Sequence, residues 1–145
     1  MQTALMQEFT GGCHCGNLRL ELRLSKPPEE MDVRACQCSF CRKHDALSIS
    51  DPVGRARITV EDKRLLSRYR FGLKIADFYV CARCGVYVAA VCETPAGSRC
   101  VVNVQALADR ARFSAPPRAV DYEGETITQR LARRAARWMP AELLP

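Results

Sequence analysis

Seven of the nine cysteines in this 145-residue chain fall into three tight clusters with the spacing of metal ligands. They read Cys13-His14-Cys15-Gly16, Cys36-Gln37-Cys38-Ser39-Phe40-Cys41 and Cys81-Ala82-Arg83-Cys84-Gly85. Zinc takes four ligands at tetrahedral angles, with thiolate sulfurs about 2.3 Å from the metal. A C-x-x-C turn brings two sulfurs to one ion while its backbone amides point toward them. A following glycine accepts the backbone angles that close the turn. Cys13 and Cys15 together with Cys81 and Cys84 make one complete four-cysteine site. Cys36, Cys38 and Cys41 then offer three thiolates, and three protein ligands with an open position is the pattern of a catalytic zinc. Two other readings of this middle cluster stay open. A fourth ligand from His44, Asp45, Cys92 or Cys100 closes it, or it is empty or oxidised.

A C-x-x-C pair also serves redox chemistry, where it opens a helix whose N-terminus lowers the thiol pKa. Here Cys84 is followed by Gly85-Val86-Tyr87-Val88-Ala89-Ala90-Val91, which reads as a strand, so metal binding is the expected role. His14 sits between two ligands, but the middle side chain of a C-x-C turn points away from the metal. Cys92 and Cys100 fall after and within strand-like runs and are expected to be core or near-surface thiols. Near the middle cluster, Arg42, Lys43 and Lys74 could favour an anionic ligand, and His44 could move a proton near neutral pH. The ordinary role of such residues is a solvated surface. Phe40 and Phe71 are pocket candidates whose ordinary role is core.

The elements that must position these groups are mostly short strands. Residues 17–24 alternate cleanly, with Leu18, Leu20, Leu22 and Leu24 on one face and Asn17, Arg19, Glu21 and Arg23 on the other. Further strands are expected at 46–50, 57–60, 66–71, 77–80, 86–91 and 99–104, punctuated by Gly and Pro at Pro52, Gly54, Gly72, Gly85, Pro95 and Gly97. After Pro116-Pro117 the tail becomes rich in Arg and Ala. Over 126–139, Ile127, Leu131, Ala135 and Trp138 are spaced for one face of a helix. Thr126 and Gln129 have capping-box spacing, and Pro140 follows the stop. The expected architecture is one mainly β domain over residues 1–145, finished by a C-terminal amphipathic helix that packs Trp138 onto it.

The bulk composition agrees. A chain of this length suits one domain with a real core, and 26% charged and 48% hydrophobic residues are ordinary for a globular protein. No run approaches the roughly 20 apolar residues of a membrane helix. Residues 1–12 show no basic segment followed by an apolar one, so no signal peptide is expected and the cytoplasm is the expected location. In a reducing compartment clustered cysteines bind metal or do chemistry more often than they form disulfides, and an odd count fits a disulfide framework poorly. The formal charge of +6 counts every cysteine as neutral. Seven thiolates on two zinc ions would lower it by three, which weakens the case for nucleic acid as a partner.

At the three clusters the sequence resembles the glutathione-dependent formaldehyde-activating enzyme family, which also contains centromere protein V. The matching elements are Gly12-Cys13-His14-Cys15-Gly16 before a strand, Cys36-x-Cys38-Ser39-x-Cys41-Arg42 and Cys81-x-x-Cys84-Gly85, with Val102-Asn103-Val104 after the last pair. The resemblance spans residues 11–107, with a helical tail at 125–139 beyond it. It implies a small zinc-bound β-tent (Mss-like) domain of short antiparallel sheets. It implies a structural zinc at Cys13, Cys15, Cys81 and Cys84, and a second zinc at Cys36, Cys38 and Cys41. The activity it implies is a carbon–sulfur lyase-type reaction joining glutathione to formaldehyde as S-hydroxymethylglutathione. After Cys41 the chain reads Arg42-Lys43-His44-Asp45-Ala46, where the family pattern has two basic residues and then a glycine.

Two classes of function follow. In the first, the protein is an enzyme acting on a glutathione adduct or another small thiol–aldehyde pair, with Cys36, Cys38 and Cys41 at the reacting centre and Lys43 and His44 beside the ligand. In the second, both metals only hold the fold of a binding module, and Arg130, Arg133, Arg134 and Arg137 give it a surface. On a helix such arginines are ordinarily a solvated face, and no aromatic residues interleave with them for base stacking. Neither a membrane nor nucleic acid is the expected partner; a small thiol or aldehyde is.

Overall fold

The computed structural model describes residues 6–144, so the reading of residues 1–12 lies partly outside the described residues. Along the chain come β1 (Gln7–Gly12), β2 (Leu18–Leu24), β3 (Arg34–Cys36), α1 (Ser39–Lys43), β4 (Ser48–Ile49) and β5 (Arg55–Val60). They are followed by β6 (Leu66–Tyr69), β7 (Asp77–Cys81), β8 (Tyr87–Thr94), β9 (Gly97–Asn103), β10 (Arg118–Val120), α2 (Ile127–Arg137) and β11 (Met139–Leu144).

The alternation in β2 decides one half of the molecule. Leu18, Leu20, Leu22 and Leu24 are all buried, while Arg19, Glu21 and Arg23 face outward. β2 lies antiparallel between β1 and β5, with Leu20 opposite Ile58. The outer face carries the cross-strand ion pairs Arg57–Glu21 and Arg57–Glu142. The other half is an antiparallel run of β6, β7, β8 and β9, continued through β4 and β3 to β10. β11 joins the halves: Met139 and Pro140 pair antiparallel with β9, and residues 141–144 run parallel to β5. The fold is mainly β, as expected, but not wholly antiparallel, because β11–β5 and β10–β3 are parallel.

Two buried clusters follow. The larger one gathers the β2 leucines, Ile58, Val102, Phe113 and Met139, with Cys13 and Cys84 packed at its margin. The smaller one gathers Tyr87, Cys92, Val101 and Trp138, with Cys36, Cys38 and Phe40 packed against it. The two cysteine centres thus rest on different parts of the core.

The helix begins where expected. The Thr126 hydroxyl accepts from the Gln129 amide, and the Gln129 side chain accepts from the Thr126 amide. It ends at Arg137 rather than 139, since Trp138 turns to an extended conformation and Met139 opens β11. Pro140 has no N–H to give to a helix and sits in the strand instead. Ile127 is 47% exposed, so the buried face is Leu131, Arg134 and Trp138 rather than the face that starts at Ile127. The strand expected over 46–50 shortens to β4. The Ala46 amide bonds back to the Cys41 carbonyl and the Leu47 amide to Asn103 Oδ1, which holds both residues out of the ladder. No helix among the described residues is long and apolar enough to cross a membrane.

Candidate functional site

Two turns built alike bring four cysteines together. In the β1–β2 turn the Cys13 amide bonds to the Leu18 carbonyl at 2.9 Å, and the Leu18 amide returns a bond to Cys13 Sγ at 3.2 Å. In the β7–β8 turn the Cys81 amide bonds to the Val86 carbonyl at 3.0 Å, and the Cys84 amide lies 3.5 Å from Cys81 Sγ. Each turn closes through a glycine in the left-handed region, Gly16 at φ 87° and Gly85 at φ 83°. Sulfur separations are 3.7 Å for Cys13–Cys15 and 3.5 Å for Cys15–Cys81. Thiolates about 2.3 Å from a tetrahedral ion stand roughly 3.8 Å apart, so the four sulfurs already have metal-site spacing. Burial pushes the Cys13 thiol up to about 11. Burial pushes the Cys84 thiol up, but hydrogen bonds from the Val86 and Cys15 amides and from Cys81 and Cys13 together bring it down to about 6.

The second centre is built at the start of α1. β3 delivers Cys36, Cys38 caps the helix by accepting from the Cys41 amide, and Cys41 points inward from its first turn. The three sulfurs lie within 4.8 Å of one another. Their closeness splits them. Contacts with Cys36 and Cys41 hold Cys38 far down, at about 2, while contacts with Cys36 and Cys38 and then burial push Cys41 up. A cluster that favours a thiolate before any metal is added has the donor chemistry of a cation site. None of His44, Asp45, Cys92 and Cys100 joins it among the described residues. Cys100 is fully buried, and burial pushes its thiol up to about 12. Cys92 lies against Arg134, whose Nη1 is 3.5 Å from its sulfur. Both clusters could hold a metal ion, and no histidine belongs to either; His14 is exposed.

The two centres differ in what adjoins them. Cys36, Cys38 and Cys41 line a cavity of about 540 Å³, and none of the four cysteines of the first cluster does. That volume lies within the roughly 300–1,000 Å³ of small-molecule sites. Phe71, Phe78 and Tyr87 supply apolar wall. Asn103 fixes Tyr87 by donating to its carbonyl at 2.9 Å. Burial, and then the sulfurs of Cys41, Cys38 and Cys36, push the Tyr87 phenol well above its ordinary range, so it remains an O–H donor.

The opposite wall comes from α2 and the segment before it. Arg130 and Arg133 share Glu125 at 3.2 and 2.9 Å, and the Arg133 guanidinium lies 3.5 Å from the centroid of Tyr122. Arg134 is buried beneath Trp138, 4.4 Å from the ring centroid. Arg34 reaches in from β3, and its Nη2 donates to Ser50 Oγ at 2.7 Å. Burial lowers the pKa of both Arg34 and Arg134. The expectation of a solvated arginine face therefore fails for Arg130, Arg133 and Arg134, because the helix turns that face onto the cavity; Arg137 alone of the four is exposed. Helical periodicity weighs arginine as an outward residue, so nothing in it marked these side chains as site residues.

Lys43 and His44 sit elsewhere. Both are exposed at the end of α1 and are absent from the cavity wall, with the His44 ring tilted against Phe40 at 4.4 Å between centroids. Arg42 is exposed as well. Lys74 does line the cavity, as does Phe71, whereas Phe40 packs behind the wall against Tyr87.

The sequence profile described as glutathione-dependent formaldehyde-activating enzyme matches residues 8–124. The match takes in all seven clustered cysteines and ends before α2. Among solved structures, the crystal structure of a Rhodobacter sphaeroides protein is similar, with 27% identity over 77% of this chain and 99% of that one and a TM-score of 0.59.

Proposed function

Because the chain belongs to the glutathione-dependent formaldehyde-activating enzyme family, we propose that it joins a small thiol to an aldehyde in the cavity beside Cys36, Cys38 and Cys41, a carbon–sulfur lyase-type reaction with glutathione and formaldehyde as the first pair to test. The observation that carries this reading is the asymmetry of the two clusters. Four sulfurs close one of them, while the other has three sulfurs and lies open to a cavity. A zinc ion is the occupant we assign to each, as a staple in the first and a reactive centre in the second. When bound there, zinc supplies Lewis-acid polarisation and stabilisation of a thiolate.

The chain's own residues do the rest. In the addition the thiol sulfur forms a C–S bond to the carbonyl carbon, the C=O π pair moves onto oxygen, and the thiol proton ends on that oxygen. No oxidant or reductant is needed. Tyr87, a protonated phenol in the cavity wall, is the hydrogen-bond donor we assign to the developing alkoxide. Phe71 and Phe78 keep water from the reacting groups and hold the two reactants close. Nine free thiols suit a reducing compartment such as the cytoplasm.

The test is exchange NMR of glutathione and formaldehyde with catalytic amounts of protein of measured metal content. Acceleration of adduct formation that disappears in a folded Cys38→Ala variant supports the reading. No acceleration at full metal content would favour the binding module, with both metals purely structural.

A further inference from the structure

Two arginines in the cavity wall pair with no carboxylate among the described residues. Arg130 and Arg133 divide Glu125 between them, whereas Arg34 and Arg134 enter no ion pair among the described residues. Arg134 is only 8% exposed, and its Nε, like that of Arg34, is buried without an acceptor. Their hydrogen bonds go to Ser50 Oγ and Cys92 Sγ rather than to a carboxylate. An ionised group removed from water without a counter-charge is strongly unfavourable, and native structures leave few such N–H groups unsatisfied.

Both arginines line the same cavity. Ser50 accepts from Arg34 at 2.7 Å and donates to the Arg137 carbonyl at 2.9 Å, which seats Arg34 on the last turn of α2, the turn that also carries Arg134. Five cationic side chains line the cavity against three carboxylates, and one of those three is already committed to Arg130 and Arg133. The cavity therefore has an excess of positive charge. It also combines a residue inside the family match with one beyond its end at residue 124.

We propose that Arg34 and Arg134 form a carboxylate subsite, so that the compound taken up beside the three cysteines is one that carries a carboxylate. This rests on the reading of the cavity as the reaction site. A guanidinium presents a planar fork of donors that matches a carboxylate, and one bound in the cavity would supply the countercharge that neither arginine finds in a carboxylate of the chain. The carboxylate could belong to the thiol, as in a peptide thiol, or to the aldehyde, as in an aldehyde acid; the chemistry of the subsite is the same.

Trp138 reports on it directly. It is the sole tryptophan, and its ring lies 4.4 Å from the Arg134 guanidinium. The experiment titrates the full-length, metal-loaded protein with S-methylglutathione, whose thiol is blocked, with glyoxylate, and with neutral 2-mercaptoethanol, following Trp138 fluorescence. A saturable change with S-methylglutathione alone assigns the carboxylate to the thiol partner, with glyoxylate alone to the aldehyde partner, and with both to either. Binding should weaken roughly tenfold or more in Arg34→Gln, and similarly in Arg134→Lys, which keeps the charge and loses the fork. Thermal melts confirm that the variants are folded, and Arg34→Lys stands in if Arg34→Gln is not. Absence of saturable binding by either carboxylate, an equal response to 2-mercaptoethanol, or wild-type affinity in folded variants overturns the proposal. S-methylglutathione cannot react, so its binding without any thiol–aldehyde turnover would uphold the subsite and remove the enzymatic reading. Turnover unaffected by either arginine variant would do the reverse.

Discussion

The sulfur atoms of Cys15 and Cys81 lie 3.5 Å apart although 66 residues separate them in the chain. The contact pins the β1–β2 turn to the β7–β8 turn, and so ties the leucine-rich half of the sheet to the half that carries the cavity. Cys15→Ser is expected to cost more than about 4 kcal/mol, since loss of a metal site belongs to the few mechanisms that reach such values. Denaturant unfolding with and without a strong chelator checks it. Chelation should destabilise the wild type and leave the variant almost unchanged.

Cys38→Ala is expected to behave differently. It should remove one metal equivalent per chain, measured by elemental analysis, and abolish any thiol–aldehyde turnover. The melting temperature should fall far less than in Cys15→Ser, because only the cavity cluster is lost. Equal destabilisation by the two substitutions would mean that the three-cysteine centre is a staple.

Cys92→Ala and Cys100→Ala should each retain the full metal content, since neither sulfur joins a cluster. Cys100→Ala should still cost on the order of 1 kcal/mol, through the small void it leaves in a fully buried position. Metal analysis beside a thermal melt separates these effects. A lost metal equivalent in either variant would identify a fourth ligand.

Glu125 gives a pH dependence with a definite sign. Its carboxyl is held below the ordinary value of 4.5, chiefly by the Arg133 hydrogen bond. A group whose folded pKa is depressed contributes stability above its unfolded pKa and loses it as pH falls through the folded value. Glu125→Gln should therefore be less stable than the wild type at neutral pH, and the gap should close on acidification below about 4.5. The difference between the two melting curves at each pH isolates this group from acid release of any bound metal, which would affect both proteins alike. A gap that persists unchanged in acid would show that the pairing contributes nothing.

Much of this arrangement was legible in the residues. The alternation at Leu18, Leu20, Leu22 and Leu24 has period two because one face of β2 is buried. The Thr126–Gln129 pair marks a helix start because both orphaned amides find partners there. The cysteine spacings announce sulfur clusters because knuckle geometry is local. What escaped was non-local. The three-residue strands β3 and β10 are too short to show a period, and they exist because Arg118, Ala119 and Val120 find Arg34, Ala35 and Cys36 as parallel partners. β11 was hidden behind Pro140, whose missing N–H ends a helix and gives no hint of a strand. The cavity arginines look outward on a helical wheel, and only the docking of α2 over β8 and β9 turns them in.

The parallel pairing of β11 with β5 also governs how the chain reaches this structure. Ala141 sets its register against Ala56, most of the sequence away, and the same strand hydrogen-bonds to β9. Neither half of the sheet can complete its central hydrogen bonds until that strand arrives. Pairings this distant pay their loop-closure entropy before any contact rewards it, which makes folding slow. In the interval β5 and the Arg99–Cys100 stretch of β9 stand with unpaired edges, the surfaces through which partly folded chains associate. Yield on refolding should accordingly fall with protein concentration more steeply than native stability alone would suggest.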